Sequence, residues 1–158
     1  MKRVILGLLT IGLLFGFISV TSAEEKQNNT TFCISLGYGY LFNETNEWDG
    51  SVGITFGYFF TEQFQMELGV LGNWNTLGDK MKVLVRPNFY STSEGSVMPY
   101  FGVSLGAEFG DGTSFAYGAQ IGAKQLLSGN AFINYELNYL RADEQNSISF
   151  MIGLGFRF

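Results

Sequence analysis

The sequence predicts an all-β fold, an eight-stranded antiparallel up-and-down transmembrane β-barrel preceded by a cleavable signal peptide. Three observations carry that prediction. Large apolar side chains recur at every second residue in eight separate segments. The residues between them are small or polar, and the charges in the interior of those segments fall on that second face. Short clusters of turn-forming residues separate the segments, and none of the eight sustains a helical period.

The chain opens with Lys2 and Arg3, an apolar run from Val4 to Val20, and Thr21-Ser22-Ala23. That order of charge, grease and small residues is the layout of a secretory signal peptide, assigned to residues 1–23. Its apolar run is slightly long, which leaves an uncleaved anchor as the alternative. Residues 24–30 (EEKQNNT) are polar and aperiodic, and are assigned to a flexible lead-in. The barrel domain then occupies 31–158, a single domain by its length.

Within it the predicted strands are Thr31–Phe42, Ser51–Phe60, Gln63–Trp74, Lys80–Tyr90, Met98–Gly110, Phe115–Leu126, Ala131–Arg141 and Ser147–Phe158. The connections NETNEWDG, TE, NTLGD, STSEGSV, DGTS, SGN and ADEQN are rich in turn formers. The first strand turns Phe32, Ile34, Leu36, Tyr38 and Tyr40 to one face, and Ser35, Gly37 and Gly39 to the other. The second repeats this with Val52, Ile54, Phe56, Tyr58 and Phe60 against Gly53, Thr55 and Gly57. On the third, Phe64, Met66, Leu68 and Val70 oppose Gln65, Glu67 and Gly69. The fourth sets Met81, Val83, Val85, Pro87 and Phe89 against Lys82, Arg86 and Asn88. The fifth sets Phe101, Val103, Leu105, Ala107 and Phe109 against Gly102, Ser104, Gly106 and Glu108. On the sixth, Phe115, Tyr117, Ala119, Ile121 and Ala123 oppose Gly118, Gln120, Gly122 and Lys124. The seventh pairs Ile133, Tyr135, Leu137 and Tyr139 with Asn134, Glu136 and Asn138. The closing strand, SISFMIGLGFRF, alternates Ile148, Phe150, Ile152, Leu154, Phe156 and Phe158 with Ser149, Gly153, Gly155 and Arg157.

Which face meets water decides the architecture. An eight-stranded barrel has a lumen just wide enough to be filled by side chains. The apolar set, crowded with Phe and Tyr, cannot fit there, whereas glycines and serines with a few long polar residues can. The apolar face therefore points to lipid. Turning Glu67, Lys82, Arg86, Glu108, Lys124, Glu136 and Arg157 outward would cost about 2–4 kcal/mol for each basic residue at the bilayer midplane. The sum is on the order of 10 kcal/mol, comparable to a whole domain's stability of roughly 5–15 kcal/mol. Register is set by that asymmetry. Each segment is long enough for the roughly 9–11 tilted residues a crossing needs, and closure removes edges that lipid cannot satisfy.

An even strand count places both termini on one side. For an exported barrel that side is the periplasm, so Phe42–Gly50, Asn75–Asp79, Asp111–Ser114 and Ala142–Asn146 face outward. Thr61–Glu62, Ser91–Val97 and Ser128–Asn130 become periplasmic turns. Aromatic girdles are predicted from Tyr40, Trp48, Trp74, Phe109, Phe115 and Tyr139 at the outer rim. Phe60, Phe64, Phe89, Phe132 and Phe158 would form the inner one.

These features resemble the small outer-membrane β-barrel proteins of Gram-negative bacteria, the OmpA/OmpX-like membrane domain. GYFFTEQFQMELG (57–69) and GAKQLLSGNAFINYELNY (122–139) look like that family's periplasmic hairpins. PYFGVSLGAEFG (99–110) is similar to its fifth strand. The resemblance implies a bacterial outer-membrane location, with lipid and lipopolysaccharide as surroundings and a monomer as the working unit. It also implies that terminal Phe158, after its alternating apolar residues, is the signal read by the barrel-assembly machinery. The outward loops are short, which weakens an adhesive or surface-recognition reading.

The 16% aromatic content, the 21 glycines and the absence of histidine bound the chemistry. Enzymes among outer-membrane barrels resemble one another in using a histidine base, and no Ser-His arrangement can be built here. No catalytic residue, metal site or cofactor is assigned. The whole chain carries a net charge of −5, and losing Lys2 and Arg3 makes it more acidic, which argues against nucleic-acid binding. Cys33 is the single cysteine and has no disulfide partner within the chain; it reads as a small inward-facing core residue.

The lumen charges Glu67, Lys82, Arg86, Glu108, Lys124, Glu136 and Arg157 are read as a structural plug, with gating of an ion path as the alternative. Counting register across the turns predicts Glu67–Arg86, Glu108–Lys82 and Glu136–Lys124 as neighbours, with Arg157 low in the lumen. The acids Glu44, Glu47, Asp49, Asp79, Asp111, Asp143 and Glu144 would form a solvated outer rim, with divalent-cation binding as a lesser alternative. Function is then an integral outer-membrane barrel in a structural, envelope-associated role. The rival is a narrow porin-like channel or transporter of small molecules.

Overall fold

Alternation at period two leaves each segment with one apolar and one polar face, and closing the sheet on itself separates those faces into an outside and an inside. The computed structural model describes residues 29–42, 47–75, 78–91, 95–127, 130–142 and 145–158. The predicted signal peptide 1–23, most of the predicted lead-in 24–30 and the predicted rim acids Glu44, Asp143 and Glu144 lie outside the described residues.

Eight strands follow one another: β1 (Thr30–Phe42), β2 (Trp48–Thr61), β3 (Phe64–Asn75), β4 (Gly78–Tyr90), β5 (Val97–Phe109), β6 (Thr113–Leu126), β7 (Ala131–Ala142) and β8 (Gln145–Arg157). Each pairs antiparallel with its sequence neighbours, and β1 pairs with β8 from Thr31↔Arg157 to Phe42↔Asn146, closing the barrel. Closure is tied at the termini. The Thr30 N–H donates to the Phe158 carbonyl at 3.0 Å, and the Phe158 N–H donates to the Thr30 carbonyl at 2.9 Å. The start of β1 and Phe158 therefore lie at one end, called the terminal end; the other is the distal end.

Several distal strand ends run past their predicted limits. β2 begins at Trp48 instead of Ser51, β4 at Gly78, β6 at Thr113 and β8 at Gln145. Asp49 and Gly50 are turn formers by type, yet Asp49 pairs with Gly39 and Gly50 with both Tyr38 and Trp74. Neighbours on both sides supply ladder partners there, and tertiary pairing overrides local propensity. Pro87 marks the opposite case. It pairs with Met66 on β3, but the β4–β5 ladder steps from Val85↔Leu105 to Asn88↔Gly102, skipping Arg86 and Pro87. Proline has no N–H to donate, so the ladder lapses on that side.

Outside, the apolar set is in place: Ile34, Leu36, Leu68, Val103, Phe101, Ile121, Leu137, Ile152 and Leu154 are all exposed. Rings line up along it, with Phe60–Phe64–Phe89–Phe101 in contact at 5.8, 5.1 and 5.4 Å between centroids near the terminal end. Tyr38, Tyr40 and Trp48 cluster at the distal end, Tyr38 stacked on Trp48 at 5.1 Å. One girdle assignment is corrected. Phe132 is 1% exposed and lies inside the barrel, because it shares its face with Asn134 and Glu136 and not with Ile133. Its ring lies against Gly155, where an added Cβ would collide with it.

Candidate functional site: the charged lumen

The inward residues fall into two unlike walls. β8, β1 and β2 contribute mainly small ones, Gly153, Gly155, Ser35, Gly37, Gly39 and Gly53. β3 to β7 contribute the long ones, and these reach across the space the first wall leaves open.

At the terminal end, Phe59, Tyr90 and Tyr100 pack together, with Met98 against them. The Lys124 ammonium sits 5.2 Å from the centroid of Phe132, 5.3 Å from that of Tyr90, and 5.8 Å from those of Phe59 and Tyr100. It donates to Glu67 Oε1 at 2.7 Å and to Gln65 Oε1 at 2.8 Å. Gln65 is completed by the Tyr90 hydroxyl, which donates to its Oε1 at 2.6 Å, and by its own donation to Thr31 Oγ1 at 2.7 Å. The Arg157 guanidinium stacks over Phe59 at 5.1 Å, at the terminal mouth. Opposed ring faces are favourable for a cation, more so in a dry site.

One layer further in, Arg86 pairs with Glu136 at 2.5 Å and with Glu67 at 3.8 Å. Asn138 Nδ2 donates to Glu136 Oε1 at 2.8 Å, and the Tyr100 hydroxyl donates to the other carboxylate oxygen. The sequence Lys124–Glu67–Arg86–Glu136 is an alternating line of charge, every member at least nine-tenths buried. Buried ions are tolerable when paired and hydrogen-bonded in this way. Cys33 lies inside on β1, its Sγ 3.6 Å from Ser35 Oγ.

Beyond this line Gln120 accepts from Ser104 at 2.6 Å and donates to Asn88 Oδ1 at 2.7 Å. An apolar layer of Leu71, Leu84, Ala116, Leu140, Ala142 and Met151 follows. The distal end is polar again. Glu108 receives Lys80 at 3.1 Å and Lys82 at 3.2 Å, and Lys80 also donates to Gln145 Oε1 at 2.7 Å. Lys82 donates to Asn73 Oδ1 at 3.1 Å, and Asn73 donates to Asp49 Oδ2 at 2.7 Å. A cavity of about 10 Å³ opens among Asp49, Asn73, Lys80, Lys82, Glu108 and Gln145. That is room for roughly one water.

Two of the three predicted pairs meet. Glu67 faces Arg86 and Lys82 faces Glu108, and each pair is also a register pair. The third is corrected: Lys124 is bound to Glu67, and Glu136 to Arg86. Register sets Lys124 opposite Asn134 and Glu136 opposite Gly122. Lys124 therefore extends across the lumen over the aromatic rings to β3, and Arg86 crosses from β4 to β7. Asp49 is also corrected. It is 2% exposed and turned into the lumen, on the same face as Ser51, and is no part of a solvated rim. Asp79 and Asp111 are exposed. Lys80 joins the lumen charges on the face of Lys82, a placement that two-residue spacing could have supplied. Among the described residues no group of three or more His, Cys, Asp or Glu side chains could hold a metal ion.

No protein-family model matches the sequence, and no curated protein matches it. Solved structures do match. Neisserial surface protein A is 13% identical with a TM-score of 0.73, over 85% of this chain and 100% of that one. The N-terminal β-barrel domain of Pseudomonas aeruginosa OprF is 21% identical with a TM-score of 0.62, over 82% and 98%. The attachment invasion locus protein Ail of Yersinia pestis is 17% identical with a TM-score of 0.61, over 84% and 100%. The chain has the fold of the small eight-stranded outer-membrane β-barrels. At such identities the likeness is one of fold. It accounts for the apolar exterior as a transmembrane surface, and for the polar set as the filling of a barrel too narrow to leave it empty.

Proposed function

We propose that the protein is an integral outer-membrane barrel whose lumen is sealed by its own side chains and whose role is structural within the envelope. In this reading residues 1–23 are removed on export, both termini are periplasmic, and the distal end faces outward. The observation that carries it is the line Lys124–Glu67–Arg86–Glu136, which bridges opposite walls beneath an apolar layer. Its carboxylates are consumed by ion pairs and hydrogen bonds, and the chain has no histidine, so the reading includes no catalysis.

Terminal Phe158 is the proposed assembly signal. Its deletion removes two backbone bonds to Thr30 but leaves the β1–β8 ladder from Thr31↔Arg157 to Phe42↔Asn146, so it should slow insertion more than it weakens the finished barrel.

The test is planar-bilayer conductance of the refolded protein combined with thiol labelling. Cys33 lies inside the lumen, and a small charged methanethiosulfonate should leave it unmodified while no steady current flows. Steady single-channel currents with rapid labelling would sink the sealed reading. They would favour the second one, a narrow channel, for which the polar distal vestibule and its cavity are the supporting observation.

A further inference from the structure

Two buried polar atoms at the distal end, Asp49 Oδ1 and Ser51 Oγ, have no hydrogen-bond partner among the described residues. Asp49 is 2% exposed and Ser51 3%. They lie two apart on β2 and share its inward face. Their register partners on β1 are Gly39 and Gly37, which bring no side chain to meet them. A Cβ added at Gly39 would stand 2.5 Å from Asp49 Oδ1, and one at Gly37 would stand 2.6 Å from Ser51 Oγ. The β1 backbone there is taken up by ladders, with β2 on one flank and β8 on the other. Asn73 serves only the other carboxylate oxygen, Oδ2.

A buried carboxylate oxygen without a donor is costly, and such atoms are met by protein groups or by ordered water. The cavity of about 10 Å³ bordered by Asp49, Asn73 and Ser147 admits one water-sized guest. Its surroundings decide the guest's charge. Lys80, Lys82, Glu108 and Asp49 border the same cavity, and their charges cancel. An added cation would meet two ammonium groups, and an added anion two carboxylates. A neutral guest that both donates and accepts suits the site. Asp49 Oδ1 needs a donor, and the Ser51 hydroxyl can give or take. Ser149 on β8 flanks Gly39 as well, its Cβ 2.9 Å from the same added Cβ, and brings a further hydroxyl to this wall.

We propose that Asp49 and Ser51 form a binding site for a single ordered water, the fixed guest of the distal chamber. The site deepens the sealed reading and rests on it in one respect. The water is held as a ligand, cut off from the line Lys124–Glu67–Arg86–Glu136 by the apolar layer of Leu71, Leu84, Leu140 and Met151.

The refolded wild-type protein is crystallised in a rubidium salt, and the density beside Asp49 is read together with the anomalous signal of the ion. The expected result is a peak at about 2.8 Å from both Asp49 Oδ1 and Ser51 Oγ, with no anomalous signal. An anomalous peak in that place would overturn water in favour of a cation. A side chain there, or Ser51 bonded directly to Asp49 with no peak, would overturn the site altogether. Asp49→Asn should keep the peak, because a water can donate to or accept from an amide, and Asp49→Ala should lose it. Loss of the peak in Asp49→Asn would overturn the neutral guest, since only a cation needs the charge. The wild-type crystal decides even where a variant fails to fold. Steady single-channel currents with the peak in place would break the seal and leave the water bound, so the two failures are distinguishable.

Discussion

At the terminal end of the lumen Lys124 is surrounded by four aromatic rings and held by Glu67 and Gln65, while at the distal end Lys80 and Lys82 share one carboxylate beside a small cavity. The residue types are similar, but the surroundings are not. Lys124, Glu67, Arg86 and Glu136 have side chains 3–4% exposed, whereas the Lys80 side chain is 26% exposed. Coulombic attraction grows as water is excluded, and so does the penalty for leaving a charge unpaired. The same deletion should therefore be severe along the line through Arg86 and mild at Lys80, with Lys82 and Glu108, 5% and 7% exposed, between them.

The sharpest way to break that comparison is Arg86→Gln. It leaves Glu136 and Glu67 buried without their shared cation, and should cost about 3–5 kcal/mol in urea unfolding of the lipid-inserted barrel. A loss below about 1 kcal/mol would mean water already reaches the line, and the sealed reading would fail with it. Phe132→Ala comes next, at about 3 kcal/mol, because it removes a ring packed on Gly155 and one wall of the Lys124 cage. It should also open the terminal mouth, so that Cys33 becomes reactive to the thiol reagent.

The exterior was almost fully legible from residues alone. Strict alternation and the absence of charge from the middle of one face fixed register and strand count together, because a slip by one residue would expose Arg86 or Glu136 to lipid. The interior was legible only as far as adjacent strands reach. Glu67–Arg86 and Lys82–Glu108 are register partners, and counting across a turn finds them. Lys124–Glu67 and Arg86–Glu136 cross the lumen, and they depend on how far a long side chain extends over the glycines and serines of the opposite wall. No local pattern encodes that distance. Phe132 was misplaced for a simpler reason: its aromatic type suggested a girdle, while its parity with Asn134 and Glu136 turned it inward. Parity was the stronger signal. Asp49 shows the same conflict, with turn-forming character overruled by pairing to Gly39 and by the inward phase it shares with Ser51.

The distal half supplies the smallest effect and the control for all the others. Lys80→Ala removes one of the two ammonium groups on Glu108 and leaves Lys82 at 3.2 Å, so the carboxylate stays paired. The lost contact is partly exposed and solvent can take its place, which puts the cost at about 0.5 kcal/mol. Lys82→Ala should cost more, because the buried member of the pair also holds Asn73, and Asn73 in turn holds Asp49. If unfolding in urea ranks Lys80→Ala beside Arg86→Gln, the distal end is as dry as the terminal one. The difference between the halves would then be one of residue count and not of solvent access. A small effect at Lys80 with a larger one at Lys82 locates the boundary between wet and dry lumen in the space between those two ammonium groups.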